Sequence, residues 1–464
     1  MKPVHGNDWL ALVPPADATW TPTRRVSICI PAHNPSNLRR VLDALALQTY
    51  PCDLMEVVIA DDGSDRPITA TGGYPFPVSI VRLERTLAFG AGRGRNAAAR
   101  RATGDLLVFL DADIVPERQV IASYARWFVD RPDVMAMGIC RFADMEDLTD
   151  EEFGYLVTED GLGAHFEGKE VDSQEWRENT LRRTDDLRIE AVDAFRIVIG
   201  ATFAITAAQY WEAGGFREIG IRGIEDTEFG YRVHANGAVM VLDRDAVHWH
   251  QGRRSMTLDR RQSIRHERQP YLERLIPVQG FRRDPPHPSD RPVHTVPRAV
   301  VHAGGDAERL NNLRGCMDHD HVVVGADKVA QAPDGMPFVA SFCDIWLPAE
   351  AAISERSIRI ITSELERRGV GVIMIHAPSG PVMVAMRTRV HRRVCNDNGS
   401  RPDEGLKPEL VSAAVAAFGV WHMAASTAEI TWSGWQGHAS PSKEERRPAQ
   451  QAVDQLLDQG SGTI

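Results

Sequence analysis

Short apolar runs alternate with helical patterns over residues 26–113, and this alternation constrains the fold more than any other feature of the sequence. Four runs have the character of buried strands: VSICI at 26–30, EVVIA at 56–60, VSIVRL at 78–83 and DLLVFL at 105–110. Helical patterns lie between them at 36–48, where Ser36 is a candidate N-cap, and at 91–102. Strands that alternate with helices predict an α/β fold with a mainly parallel, doubly wound sheet.

Acidic side chains follow two of these strands at the point where each strand ends. Asp61 and Asp62 close the second run, and Asp111-Ala112-Asp113 closes the fourth. Ligands bind at the carboxyl ends of strands in such sheets. A divalent cation prefers oxygen ligands and often joins a carboxylate to a phosphate, so Asp111 and Asp113 are candidates for a metal or ribose site. Asp62 could accept a hydrogen bond from a uracil ring N–H, and plain surface turns are the alternative for both clusters.

Two later features add candidates for catalysis and metal binding. Glu225 and Asp226 open a helical pattern at 225–235. One interpretation is simple capping of the helix dipole; the other is a catalytic base, which the dipole would keep ionised. His248 and His250 follow a strand pattern at 238–242, and either could be a third metal ligand or a structural histidine.

Composition and charge narrow the class of protein. The chain has 464 residues, a net charge of −11 and a pI near 5.8, which argues against a nucleic-acid partner. There is no apolar run of about 18 residues and no secretory leader, so we expect no transmembrane segment. The six cysteines are scattered, as in reduced proteins. We expect a cytoplasmic location, with peripheral attachment at the inner face of a membrane as the variant.

The sequence divides into five regions. Residues 1–25 are a lead-in, 26–283 form the first α/β domain, 284–297 are a proline-rich linker, 298–436 form a smaller α/β domain and 437–464 are a flexible tail. The first domain carries an acidic insertion at 142–190, where residues 144–186 hold fifteen Asp or Glu and four Lys or Arg. We expect this insertion to be rich in loops, with an acceptor-side loop as the sharper hypothesis.

The motifs, taken in order, resemble family 2 glycosyltransferases of the GT-A fold. The matching segments are IPAHN at 30–34, QTYP at 48–51, ADDGSD at 60–65, GRN at 94–96 and DAD at 111–113. A later set is more specific, with GGF at 214–216, EDTEFGYR at 225–232 and HQ at 250–251. It resembles the hexosamine-transferring module of bacterial chondroitin and hyaluronan synthases, and the similarity spans residues 25–278.

The resemblance implies an inverting enzyme that uses a UDP-sugar, with GalNAc or GlcNAc as the sugar, and Mn²⁺ or Mg²⁺. Pro31 and His33 would line the nucleoside pocket and Asp62 would hold the uracil, while Arg95 and Asn96 would lie near the donor.

The remaining implied roles concern the metal and the chemistry. Asp111 would contact ribose or metal, Asp113 would bind metal, His250 would complete the metal site with His248 as the alternative, Asp226 would be the base, and Glu225 would hold the acceptor or donor sugar.

Three points stay open at the level of the sequence. Ile221-Arg222-Gly223-Ile224 stands where the family often has Trp-Gly-Gly, which bears on the choice of sugar and acceptor. The acceptor could be a glycan in polysaccharide biosynthesis, a lipid-linked or peptide acceptor, or a small molecule. A retaining enzyme similar to polypeptide GalNAc-transferases and a non-catalytic sugar-nucleotide-binding protein are the competing functions.

The smaller domain occupies the place of the synthases' second transferase module. It has no DDGS and no DxD motif, and Asp344 in FCDIWLP stands alone. We therefore expect a degenerate transferase-like domain.

Overall fold

The computed structural model describes residues 2, 4–13, 20–69, 73–86, 90–218, 223–253, 258–282, 294–304, 307–314, 320–325, 340–348, 351–354, 356–376, 383–402, 406–424, 428 and 430–432. The expected tail at 437–464, most of the expected linker, and Cys316 lie outside these residues.

The first sheet has eight strands within the described residues. In chain order they are β1 (Val26–Ala32), β2 (Met55–Asp62), β3 (Val78–Leu83), β4 (Leu106–Leu110), β5 (Ile114–Pro116), β6 (Val134–Ala143), β7 (Thr202–Thr206) and β8 (Val239–Gln251). Their order in the sheet is β3-β2-β1-β4-β7-β6-β8-β5, and β3, β2, β1 and β4 run parallel to one another. Every residue of β1 and β4 is buried, as expected for strands covered on both faces. The predicted α/β class is confirmed.

Helices cover the first sheet. They are α1 (Leu38–Ala46), α2 (Ala91–Arg101), α3 (Val120–Arg126), α4 (Asp150–Thr158), α5 (Leu162–Phe166), α6 (Glu175–Arg183), α7 (Ala207–Glu212), α8 (Glu225–Ala235) and α9 (Leu258–Leu275), with short 3₁₀ turns at Trp9–Leu12, Cys52–Leu54 and Ala194–Ile197. α1 does not use Ser36 as its cap: Asn37 holds the N-cap position, with no side-chain hydrogen bond there.

The acidic insertion corrects the sequence-based expectation of a loop-rich region. It contains α4, α5 and α6, and Thr149 and Glu152 form a reciprocal capping box at the start of α4. Phe153 and Phe166 are buried in one cluster with Trp249 of β8. The acids stabilise helix starts through the dipole, while a few apolar residues at helical spacing supply the core, and a count of charges cannot reveal the latter.

A second sheet follows. Its six strands in order are β10 (His321–Gly325), β9 (Ala299–Ala303), β11 (Cys343–Leu347), β14 (Met383–Arg387), β13 (Val372–His376) and β15 (Val420–Ala424), while β12 (Ala351–Ile353) pairs with β16 (Ile430–Trp432). The helices are α10 (Ala307–Arg314), α11 (Ser357–Arg368), α12 (Thr388–Asn398) and α13 (Pro408–Phe418). Asp344 is buried and accepts a 2.9 Å hydrogen bond from His302 Nε2.

The two sheets share packing along α8 and α12. Phe195, Ile224 and Tyr231 lie in the same apolar cluster as Val301 and Ile345 of the second sheet. This cluster joins the two units through buried side chains.

Near the start of the chain, Asn7 closes a seam between the units. Its Nδ2 donates to the carbonyls of Leu187 and Met240, while its Oδ1 accepts from the amide of Met240 and from Arg389 Nη2. Gly6 N donates to Ala417 O.

None of the helices in the described ranges is both long and apolar enough to cross a membrane.

Candidate active site

An open cavity of about 460 Å³ lies at the carboxyl ends of β1, β2 and β4. Pro31, His33, Asp62, Asp111 and Asp113 line it, together with the loop at 34–37 and the start of α2. The parallel register of the three strands brings their ends to one edge of the sheet, which gathers residues far apart in sequence. Five of the predicted site residues therefore share one cavity.

Asp62 is tied to the start of α2. Its Oδ1 lies 2.8 Å from Arg93 Nη1, and its Oδ2 accepts a 2.9 Å hydrogen bond from Gly90 N. The carbonyl of the same residue is 3.2 Å from His33 Nδ1. Arg93 was not among the predicted residues, although it stands in the same GRGRN segment as Arg95.

Asp61, the residue before Asp62, has no exposed side-chain surface. Its carboxylate accepts from the amides of Ser64 and Ile68 and pairs with Arg82 Nη1 at 2.5 Å. Asp61 therefore shapes the turn after β2, whereas Asp62 faces the cavity.

The two aspartates of the DAD segment have different surroundings. Asp111 Oδ1 lies 2.8 Å from Arg95 Nη2. Asp113 is half exposed, and its Oδ2 is 3.4 Å from His250 Nε2. The β5–β8 pairing places His250 beside Ile114, one residue after Asp113.

His248 lies in the core, away from this pair. Its side chain is fully buried and its Nε2 is 2.7 Å from Thr202 Oγ1. Burial lowers the pKa of His248 to about 3, so the ring is neutral. Only His250 of the two histidines reaches Asp113.

Glu225 and Asp226 begin α8, as predicted, but their side chains do different things. Glu225 Oε2 accepts hydrogen bonds from the amides of Gly223 and Ile224, which ties the segment just before α8 to the first residue of the helix. Asp226 Oδ1 points to Arg95 Nη1 at 3.5 Å.

The expectation that the helix dipole keeps Asp226 ionised is wrong. Burial and the neighbouring Glu225 raise the pKa of Asp226 to about 7, and Arg95 offsets this only in part. At neutral pH the carboxyl group is therefore near its midpoint.

Asn96 does not line the cavity. Its Nδ2 donates to Phe216 O and Glu218 Oε1, and its Oδ1 accepts from Tyr210 Oη and Phe216 N. These bonds fasten the GGF turn beneath the site. Residues 221–224 are the segment in which the sequence differs from the Trp-Gly-Gly pattern of the family. Of these, residues 221 and 222 lie outside the described part of the chain.

The residues present fit a divalent cation that takes few protein ligands. Within the described ranges no three His, Cys, Asp or Glu side chains are grouped so as to hold a metal. Asp113 and His250 can supply two ligands, while Asp111 is engaged by Arg95. Mg²⁺ typically keeps several waters and binds through one or two carboxylates plus substrate phosphates, and Asp113 can supply one such carboxylate.

Residues 27–170 match the family described as "Glycosyl transferase family 2". This chain carries a family 2 glycosyltransferase domain. The sheet described above and this match together give the GT-A fold predicted from the sequence.

Curated relatives of the family 2 domain come from several organisms. Chondroitin synthase of Pasteurella multocida is 26% identical over 314 residues, which are 63% of this chain and 31% of that protein. Validoxylamine A glucosyltransferase of Streptomyces hygroscopicus subsp. jinggangensis is 28% identical over 244 residues, 48% of this chain and 54% of that protein. N-acetylgalactosaminyltransferase 6 of Drosophila melanogaster is 30% identical over 231 residues, 46% and 32% of the two chains. The similarity thus spans a third to a half of the length of these relatives.

Two solved structures are similar at lower identity. A mannosyltransferase from Pyrobaculum calidifontis in complex with GDP-Man and Mn²⁺ is 19% identical, covers 55% of this chain and 62% of its own, and has a TM-score of 0.34. S. aureus TarS 1-349 in complex with UDP-GlcNAc is 17% identical, covers 50% and 60%, and has a TM-score of 0.35.

Proposed function

We propose that this chain is an inverting glycosyltransferase that moves a sugar from a UDP-sugar to an acceptor hydroxyl with the help of Mn²⁺ or Mg²⁺. The observation that carries the proposal is that Asp111 and Asp113 of the DAD segment line the cavity, while Arg95 joins Asp111 to Asp226 at the start of α8. In this proposal the nucleoside lies against Pro31, His33 and Asp62.

Asp226 takes the role of general base. A base works best when its pKa is close to the working pH, and the pKa of Asp226 is about 7. Asp226 would remove the proton from the acceptor hydroxyl as the oxygen attacks the anomeric carbon, and the sugar–phosphate bond would break on the opposite face.

Asp113 and His250 take the role of metal ligands. A divalent cation held there would act as a Lewis acid that neutralises charge on the departing diphosphate. Glu225 is assigned a structural part in the same site, because its hydrogen bonds to the amides of Gly223 and Ile224 hold the chain just before Asp226.

The donor sugar and acceptor are proposed from similarity. GalNAc or GlcNAc follows from the EDTEFGYR segment and from the chondroitin synthase relatives. A glycan acceptor in polysaccharide biosynthesis is proposed from the chondroitin synthase relatives, and lipid-linked, peptide and small-molecule acceptors are the alternatives.

The test is a panel of UDP-sugars scored for hydrolysis and transfer with Mn²⁺, with Mg²⁺ and with EDTA, followed by NMR of the product anomer. We expect hydrolysis of a UDP-hexosamine that EDTA abolishes, and a product of inverted configuration. Asp226→Asn should lower transfer by about two to four orders of magnitude, while the exposed control Glu151→Gln should not change it. Retention of configuration would contradict the inverting mechanism. Binding of UDP-sugars without any turnover would contradict the proposal that the protein is an enzyme.

A further inference from the structure

Arg95 lies buried between the two halves of the candidate site. It projects from α2, and only 3% of its side chain is exposed. Nη2 binds Asp111 Oδ1 at 2.8 Å, and Nη1 faces Asp226 Oδ1 at 3.5 Å. One guanidinium thus touches the carboxylate of the DAD segment and the first turn of α8.

The surroundings of the guanidinium leave it little freedom. The ring of Phe216 lies 5.1 Å from its central carbon. On another side, Gly200 is so close that an added Cβ would overlap the guanidinium. The backbone of Gly200 also lowers the pKa of the Asp226 carboxyl group, so residue 200 acts on both members of the pair.

The charges explain why a cation is needed at this position. Asp111, Glu225 and Asp226 all interact electrostatically with Arg95. Without the guanidinium these partly buried carboxylates would repel one another. An arginine offers several donors in a fixed fork, so one side chain can hold two carboxylates at a set separation, which a lysine cannot do.

We propose that Arg95 is a positioning residue that holds Asp226 at a fixed distance from Asp111, and that it is not a ligand of the sugar nucleotide. Its effect on the reaction passes through Asp226. This inference rests on the function proposed above, because it requires Asp226 to be the base.

The experiment is a double-mutant cycle with Arg95→Lys and Asp226→Asn, scored for kcat and for binding of UDP by calorimetry. Arg95→Lys should lower kcat by about 10- to 100-fold, as small misplacements of reacting groups do. UDP affinity should stay within about twofold, because Arg95 does not contact the nucleotide in this proposal. Measuring both kcat and UDP affinity separates positioning of the base from binding of the donor. In the Asp226→Asn background the same Arg95→Lys change should have almost no further effect on kcat.

The outcomes separate the inference from the proposed function. A full-rate Asp226→Asn enzyme overturns the proposed base, and the inference with it. If Asp226→Asn is slow but the two losses multiply, only the inference is overturned. Weaker UDP binding by Arg95→Lys with unchanged kcat makes Arg95 a donor ligand and also overturns it.

A second variant covers failure of Arg95→Lys to fold. Gly200→Ala keeps the arginine but pushes its guanidinium aside, and Gly154→Ala, where an added Cβ meets nothing within 4 Å, is its matched control. Gly200→Ala should lower kcat in the Asp226 enzyme and leave the Asp226→Asn enzyme unchanged. Equal losses in both backgrounds contradict the positioning role.

Discussion

At the scale of single residues, aspartates of the same site have different hydrogen-bond partners and different neighbouring charges. Asp62 and Asp226 each meet an arginine, yet Asp62 receives its guanidinium at 2.8 Å together with a backbone amide. Asp226 instead shares Arg95 with Asp111 and sits beside Glu225. In the proposed mechanism the base is Asp226, whose pKa is raised by burial and by Glu225.

The pH dependence of the rate follows from the protonation of Asp226. A base acts in its deprotonated form, so kcat should rise as pH increases through about 7, the pKa of Asp226, and then level off. Initial rates at saturating donor between pH 5.5 and 9 measure this. A profile that is flat across neutral pH would contradict Asp226 as the base.

The two histidines provide a second prediction. His250→Ala should remove stimulation by Mn²⁺ with little loss of stability, because it deletes a partner of Asp113 at the surface of the site. His248→Ala should lower the free energy of unfolding by about 1–3 kcal/mol, because it removes a buried ring and one of the two hydrogen bonds of Thr202 Oγ1, leaving the one with Tyr124 Oη. Metal titrations and thermal melts of both variants make the comparison, and the reverse pattern would assign the metal to His248.

The sequence was sufficient to place the acidic residues at one edge of the sheet, but it could not show which of His248 and His250 lies near Asp113. Apolar runs show where β2 and β4 end, so Asp62, Asp111 and Asp113 could be assigned to one edge of the sheet. His248 and His250 lie two residues apart on one strand and face the same side, so alternation cannot separate them. Their depth differs because β8 runs on to Gln251 and carries only His250 to the rim.

At the scale of elements, α2 packs against β1 with no space to spare. A Cβ added at Gly94 would come 2.9 Å from Pro31 Cβ. Pro31 also lines the cavity, so the contact that seats the helix also sets one wall of the site.

Gly94→Ala should therefore destabilise the protein by about 1–3 kcal/mol, the usual cost of overpacking. It should also weaken UDP binding, because Pro31 must move. Gly154→Ala, in α4, has open space and should be neutral or stabilising by up to about 1 kcal/mol. Denaturant melts and UDP titrations of the pair check this, and equal stability of both variants would show that the backbone relaxes freely.

The helices of the acidic insertion could not be predicted from composition. α4 and α5 are buried through Phe153 and Phe166, which lie in one apolar cluster with Trp249, far along the chain. Contacts of this kind depend on the fold as a whole, whereas the regular alternation around β1 and β2 is local and can be recognised.

At the scale of the whole molecule, buried charges join the two units. Glu190 lies 2.9 Å from Arg389 Nε and 3.2 Å from Arg387 Nη2, and Arg389 also donates to the carbonyls of His234 and Ala238. Tyr231 Oη donates to the carbonyl of Ala340. The last turns of α8 are thus held by the second unit, while its first turn carries Asp226.

Glu190→Gln tests this junction. Burial by itself would raise the pKa of Glu190, but Arg389 and Arg387 hold that pKa well below its usual range. The variant leaves two buried arginines uncompensated and should cost about 3–5 kcal/mol. Thermal melts should show a lower transition temperature for Glu190→Gln and an unchanged transition temperature for Glu151→Gln.

The pH dependence of this contribution has a definite sign. A carboxyl group with a depressed pKa stabilises the folded state fully above its unfolded pKa near 4.5 and loses that effect as pH falls. The difference between wild type and Glu190→Gln should therefore shrink below about pH 4.5, and a difference that grows on acidification would contradict the pairing.

The seam at Asn7 has a consequence for how the chain acquires its structure. Asn7 bonds Arg389, 382 positions away in sequence, and Gly6 bonds Ala417. During synthesis these partners emerge long after the segment that needs them. Contacts so distant in sequence form slowly, because the loop between them must be closed first. We therefore expect docking of the Asn7 segment to be the final step of folding, after both sheets have formed.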